Sequence, residues 1–526
     1  MPTLTINGQE ITVDAGSTVI QATEKLGVYV PRYCYHPGLP IAGSCRMCLV
    51  EIEDMSKLAI SCYTPVQEGM KVSTDSEKAK QARKSMLEFL LINHPLDCPV
   101  CDQSGECDLQ NLYMEIGQYD SRFLENKIKR KKAFPIGPHV VLDQERCILC
   151  TRCTRFCENV SQTNELGVFN RGDRSVIDLY PGKALENPYS GNVIDICPVG
   201  ALTEREFRFQ CRVWYLSTQQ SICNGCSRGC NIHIHFNSDR RYKAGGRRVQ
   251  RLKPRFNPFV NQWWMCDEGR FSYKSLDEGR IQSPSLRVAG TLQDTDWETV
   301  TKVIALVLRT ALEKFGPSSI GVIASPQLSN EELYLIRELF GELMGLSQIG
   351  YRNPWEQEGF QDNFLIRADK NPNSRGAEEM GLRADVKDIL DKASKGEIKV
   401  LYVISHDLNT DQAQQMLQQS EYIIFQGTHW NSTAELAQVV LPTAAFAEKD
   451  GTFTNFEGRL QRFRQAFLPL ADSKPDHEIF AQLARQLEYP LVYETPEELF
   501  IAWYGKPYEK LEAFGEMLHE NSGRDT

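Results

Sequence analysis

The stretch "CILCTRCTRFC" carries Cys147, Cys150, Cys153 and Cys157 at spacings of two, two and three residues, and a later "DICPVGAL" adds Cys197 followed by Pro198. Thiolates spaced this way hold a [4Fe–4S] cluster, and where two such clusters share a chain the fourth cysteine of a run serves the other cluster while a remote Cys-Pro completes the first. The expected ligands are therefore Cys147, Cys150, Cys153 and Cys197. No second run exists to use Cys157, which reads as a buried spare thiol. Chemistry at such a site is outer-sphere electron transfer, so no catalytic residues are expected beyond the ligands themselves.

Three further groups share this character. "HPLDCPVCDQSGECDLQ" offers His94, Cys98, Cys101 and Cys107, separated by three, two and five residues. Three thiolates and an imidazole suit structural zinc or an iron–sulfur cluster, and alone they do not choose. Cys34, Cys45, Cys48 and Cys62 are separated by ten, two and thirteen residues. In "AGSCRMCLVEI" small residues let backbone N–H groups approach the sulfurs, so [2Fe–2S] is the natural occupant, with structural zinc as the alternative. "CNGCSRGC" with "NQWWMCDEGRF" supplies Cys223, Cys226, Cys230 and Cys266, compatible with [4Fe–4S] or zinc.

All seventeen cysteines lie between Cys34 and Cys266, and these groups leave only Cys157 and Cys211 unassigned. Nothing suggests the secreted context of a disulfide scaffold. Four redox-capable sites favour a series graded for one-electron transfer over four zincs, because zinc has no redox chemistry. His94 fits that view, since a neutral imidazole in place of a thiolate removes negative charge and should shift a potential.

Regular elements must hold these loops. "TLTINGQEITV" alternates around Asn-Gly and predicts a hairpin. "STVIQATEKLGV" predicts a capped helix ending at Gly27, the opening of a ubiquitin-like or plant-ferredoxin-like sheet. "TDSEKAKQARKSMLEFLLI" predicts a helix leading into the histidine group. Beyond residue 290 strands alternate with helices: "SIGVIAS" with "SNEELYLIRELFGELMG", "IKVLYVIS" with "TDQAQQMLQQ", and "EYIIFQG" with a helix near "STAELAQ", which implies a parallel sheet. "KIKRKK" (127–132) reads as a solvated loop between cluster modules, with partner docking as the alternative, and "RRYKAGGRRVQRLKPR" (240–255) as a hairpin whose charges offset a cluster or as a remnant of pterin-phosphate contacts.

With 526 residues and 41% apolar content the chain can bury several cores. Its 59 basic and 69 acidic residues leave a net charge of -10, which argues against nucleic-acid binding and for protein partners. No apolar run approaches a membrane span, and "MPTLTINGQEITV" lacks signal-peptide features.

From residue 1 to about 275, the order of a [2Fe–2S] loop, "HPLDCPVCDQSGECDLQ", "CILCTRC" with "DICPVGAL", and "CNGCSRGC" with "WMCDEGRF" resembles the large iron–sulfur subunit of respiratory complex I, NADH:quinone oxidoreductase. That resemblance implies electron transfer from an FMN/NADH-binding subunit and its [2Fe–2S] companion towards the connecting-arm iron–sulfur and quinone-site subunits. It implies one [2Fe–2S] and three [4Fe–4S] clusters, the fourth lying off the main path. It also implies a peripheral subunit on the cytoplasmic side of the inner (plasma) membrane, held there only through partners. The alternative is the equivalent subunit of a soluble NAD-linked formate dehydrogenase or hydrogenase, and from another class a zinc-filled scaffold protein.

"LPTAAFAEKDGTFTNFEGRLQRF" resembles the molybdopterin oxidoreductase family. Residues 351–381 are short and loop-like where that family carries a larger middle portion, and no cysteine is available to ligate molybdenum. A degenerate packing domain without molybdopterin is expected. The expected architecture is a mixed α/β and α+β multidomain chain. It comprises a β-grasp [2Fe–2S] ferredoxin-like domain (1–75), a [4Fe–4S] module with one histidine and three cysteines (76–135) and a bacterial-ferredoxin-like module (136–215). A molybdopterin-oxidoreductase N-terminal-like module (216–280) and a shortened α/β region (281–526) complete it.

Overall fold

The computed structural model describes residues 1–237, 244–352, 355 and 357–518. It divides into two compact units, Met1–Leu216 and Ser217–Thr526.

In the first unit, β1 (Thr3–Ile6) and β2 (Gln9–Thr12) pair antiparallel across Asn7 and Gly8, whose φ values of 49° and 83° are the two left-handed residues of a type I′ turn. With β3 (Leu49–Ile52), β4 (Ala59–Ile60) and β5 (Lys71–Ser73) they make a sheet of order β2-β1-β5-β3-β4, in which only the β1–β5 pair is parallel. Helix α1 (Val19–Lys25) buries Val19, Ile20 and Ala22 against Leu4, Ile6, Val50 and Val72. Its first turn is closed by the Gln21 side chain, which accepts from the Thr18 N–H at 2.9 Å. This is the β-grasp arrangement.

Helix α2 (Glu77–Leu91) starts where Ser76 Oγ accepts from Ala79 N–H, and α3 (Asp108–Ile116) packs beside it through Leu87, Leu109 and Leu112. Next come β6 (Phe134–Pro135), β7 (Val140–Leu142), α4 (Arg152–Asn159), the antiparallel pair β8 (Leu166–Phe169) and β9 (Val176–Leu179), the short α5 (Asn192–Asp195) and β10 (Leu202–Glu204). β10, β7 and β6 form a three-stranded sheet.

The second unit begins with an antiparallel sheet of β11 (Ser217–Ile222), β12 (Asn231–Phe236) and β13 (Val249–Pro254), followed by α6 (Asp267–Phe271). Of the basic stretch 240–255, residues 240–243 lie outside the described residues, and its second half is β13. A seven-stranded sheet follows, of order β15-β14-β20-β19-β18-β16-β17. Its antiparallel edge is β14 (Ser285–Val288) and β15 (Thr291–Asp294). β16 (Ile320–Ile323), β17 (Ile349–Gly350), β18 (Val400–Ile404), β19 (Ile423–Gly427) and β20 (Val439–Pro442) run parallel. Every residue of β18 is buried, as a strand covered on both faces requires. Val400, Tyr402 and Ile404 meet one core with α7 (Trp297–Phe315) and α8 (Asn330–Ile336), while Leu401 and Val403 meet the other with the helix Lys387–Ser394. Each large side chain so buried contributes about 1.5–3 kcal/mol.

Within 351–381, residues 353, 354 and 356 lie outside the described residues; 357–373 form neither helix nor strand, and a single short helix, Ser374–Glu379, follows. Among the described residues no helix is long and apolar enough to cross a membrane.

Candidate metal centres

The first centre lies under the β-grasp sheet. Cys34, Cys48 and Cys62 are buried and Cys45 is half-buried. Their sulfurs touch in a chain: Cys34 meets Cys45 and Cys62, and Cys62 meets Cys48. The Cys34 N–H points at Cys45 Sγ at 3.4 Å. The loop between Cys45 and Cys48 turns on Arg46 at φ 57°, a conformation that costs a non-glycine residue energy and is held only where the surroundings demand it.

The third group shows the same device twice, at Leu149 (φ 54°) and Thr151 (φ 59°), each just before or after a cysteine. Cys147, Cys150, Cys153 and Cys197 together line one cavity. Burial raises all four thiols, Cys147 and Cys197 up to about 12. Without a cation these sulfurs would keep their protons; as ligands they give them up. Backbone N–H groups two residues on, from Leu149, Arg152 and Val199, act in the opposite direction on Cys147, Cys150 and Cys197. Cys157, fully buried, faces Glu165 and does not line this cavity.

At the second group the sulfurs of Cys98, Cys101 and Cys107 lie near enough to act on one another, Cys101 being the common neighbour. His94 and Cys98 line the same cleft. Burial holds the His94 imidazole neutral, lowered to about 4, and its Nδ1 is buried with no hydrogen-bond partner. A buried ring nitrogen with a free lone pair is what a metal ligand needs. Lys127 Nζ donates to the Leu91 and Ile92 carbonyls at 2.9 and 2.8 Å, fastening the end of α2 where the histidine departs. The "KIKRKK" stretch is a largely exposed loop, as expected, and it is also anchored: Lys132 pairs with Asp97 and with Glu145 at 2.9 Å, and Arg130 bonds the Asp173 carbonyl.

Cys223, Cys226, Cys230 and Cys266 line one cavity in the second unit with Leu365 and Ile366. Gly269 N–H reaches Cys266 Sγ at 3.4 Å, and a Cβ on Gly269 would stand 2.8 Å from Cys223 Sγ. The cradle is thus shaped for bare backbone against sulfur. Among the described residues no three His, Cys, Asp or Glu side chains converge as the ligands of one ion would.

Four arginines escaped the sequence reading. Arg83 donates to Leu49 O at 2.7 Å, Arg212 to Cys101 O and Pro99 O at 2.6 and 2.7 Å, and Arg152 and Arg155 bind carbonyls around the first and third centres. Two of them stand inside "CTRCTRFC", where a charged side chain on a helix of buried ligands was the available signal.

Fold and loops together define an iron–sulfur electron carrier. Residues 1–77 match the family "2Fe-2S iron-sulfur cluster binding domain", 83–122 the "NADH-ubiquinone oxidoreductase-G iron-sulfur binding region", 137–203 "NADH-quinone oxidoreductase subunit 3, ferredoxin-like domain", and 356–486 "Molybdopterin oxidoreductase". The NADH-quinone oxidoreductase G subunit of Rickettsia felis is 32% identical over 610 aligned positions, covering 94% of this chain and 89% of the relative. The mitochondrial NADH-ubiquinone oxidoreductase 78 kDa subunit of Candida albicans is 31% identical, covering 93% and 83%. The chain belongs to the family of NADH-quinone oxidoreductase G subunits. An alignment of 610 positions exceeds the whole 526-residue chain, so relatives carry segments that it lacks. A solved structure of an NAD+-reducing [NiFe]-hydrogenase matches 40% of this chain and 91% of its own at 31% identity, with a TM-score of 0.37, too loose a likeness to argue from.

Proposed function

We propose that this chain relays electrons within NADH:quinone oxidoreductase through one [2Fe–2S] cluster on Cys34, Cys45, Cys48 and Cys62 and [4Fe–4S] clusters on the other three groups. Bound there, iron–sulfur clusters supply one-electron redox chemistry over a wide range of potentials. The observation that carries the reading is the position of the Cys147 group. The Cys34 sulfur is close enough to act on Cys150, while a Cβ on Gly200, in the loop after Cys197, would collide with Cys101 Sγ. Loops of the third group thus lie beside both the first and the second group, which supports a relay that passes through it. Electrons enter from the FMN/NADH-binding subunit and its [2Fe–2S] companion and leave towards the connecting-arm and quinone-site subunits. The chain sits peripherally, on the cytoplasmic side of the membrane.

The rear half serves packing. Charges of its "EKDG" turn are closed by the protein itself: Glu448 by Arg280 and Arg248 at 2.8 and 2.7 Å, Lys449 by Asp476 at 3.0 Å and Glu332 at 2.5 Å. Iron, acid-labile sulfide, zinc and molybdenum on anaerobically purified protein test the whole reading. Four filled sites give about 14 iron atoms per chain, with zinc and molybdenum absent. About ten would leave the fourth site vacant; stoichiometric zinc with little iron would overturn the electron-transfer reading.

A further inference from the structure

Arg155, on the first turns of α4, is only 9% exposed. Its Nη2 donates to the Cys34 carbonyl at 2.5 Å and to the Cys150 carbonyl at 3.2 Å; its Nη1 donates to the Pro40 carbonyl, and its Nε to Thr151 O at 3.2 Å. Arg152, one turn earlier, donates to Tyr35 O at 2.7 Å and to Ile196 O at 3.1 Å, the residues beside Cys34 and Cys197. One helix of the third centre thus grips the Cys34 loop of the first with two guanidinium groups. We infer that Arg155 is a shared positioning residue, which holds the Cys34 and Cys150 ligand loops together and, as a buried cation between them, raises the reduction potentials of both centres.

The physical argument has two parts. A planar fork can satisfy carbonyls from two loops at once, which fixes their separation, and lysine cannot reproduce that geometry. A fixed positive charge in a poorly solvated site favours the state with one more electron, and net charge is one of the levers that set iron–sulfur potentials. The sulfurs of Cys34 and Cys150 are its strongest charged neighbours. Arg83 is the contrast within the same unit: also buried, it bonds Leu49 O beside Cys48 and feels the Cys48 sulfur, so it serves the first centre alone.

This inference rests on the cluster reading above, and the test separates the two. EPR-monitored redox titration of the cluster-loaded full chain, with iron and sulfide counted in each sample, is compared among wild type, Arg155→Gln, Arg155→Lys and Arg83→Gln. Arg155→Gln is expected to lower the reduced-to-oxidised ratio of both the first and third centres about tenfold at fixed ambient potential, about 59 mV for a one-electron couple. Arg155→Lys is expected to move both in the same direction by less, and Arg83→Gln to move the first centre only. Unshifted potentials at full iron content in Arg155→Gln, or a shift confined to one centre, would overturn the proposal. If Arg155→Gln loses iron, Arg155→Lys decides: a parallel shift supports the bridge, and none or a single-centre shift refutes it. Absence of iron–sulfur signals in wild type would instead sink the cluster reading.

Discussion

The Cys147–Cys197 site of the first unit and the Glu448–Lys449 turn of the second both bury charge, and they finish the task in opposite ways. Around the cysteines, Arg152 and Arg155 direct their donors to backbone carbonyls, and the charges closest to Arg155 are sulfurs. Around Lys449, two carboxylates close on the ammonium, Gln426 donates to Asp476 at 2.8 Å, and Arg280 and Arg248 clasp Glu448. Buried guanidinium groups bonded to carbonyls and not, among the described residues, to carboxylates leave their charge to an anionic cluster held by the neighbouring cysteines. A network that satisfies itself has nothing to offer a ligand. The difference lies in what the charges are left to face, since both sites are buried.

The comparison breaks most decisively at the cysteines. Cys153→Ala should abolish the third cluster, with about four iron atoms lost per chain and its EPR signal gone, while the second unit keeps its amide-exchange protection in β16, β18 and β19. Conversely, Lys449→Met leaves Glu332 and Asp476 buried without their cation and should destabilise the second unit by about 3–5 kcal/mol in denaturant titration; iron in the first three centres should be retained. Gly269→Ala tests the fourth cradle. The position lies in a helix, where alanine is favoured, so loss of iron from about 14 towards ten would come from the methyl group meeting Cys223 Sγ.

The smallest effect is a pH slope. Burial, with Asp476 adding to it against Lys449, pushes the Glu332 carboxyl up to about 8. A carboxyl raised on folding binds its proton more tightly in the native state, so its contribution is fully present below its ordinary value near 4.5 and is lost as pH rises through about 8. Wild type should lose stability relative to Glu332→Gln between pH 5 and pH 8. Parallel stability curves for the two proteins would mean that Glu332 is ionised throughout.

Much of the architecture was legible because it rests on local rules. Asn7-Gly8 demanded a primed turn and obtained one; the apolar run of "IKVLYVIS" became a strand buried on both faces. "KIKRKK" is the solvated loop its composition indicated, but that composition could not show that Lys127 and Lys132 also reach partners 35 and more residues away in sequence, which no window along the chain contains. The arginines of α4 were hidden for the same reason, since the carbonyls that tie them to the first centre belong to a loop 115 or more residues earlier.

The sequence by itself determined which side chains could ligate, because cysteines two or three residues apart are brought together by the loop that joins them, whatever the rest of the chain does. Only the tertiary structure decided which loops became neighbours, which left-handed residues aimed N–H groups at sulfur, and where cations were buried without carboxylates. Those outcomes depend on packing between distant segments: the desolvation that makes Arg155 influential exists only once α4 is seated against the Cys34 loop.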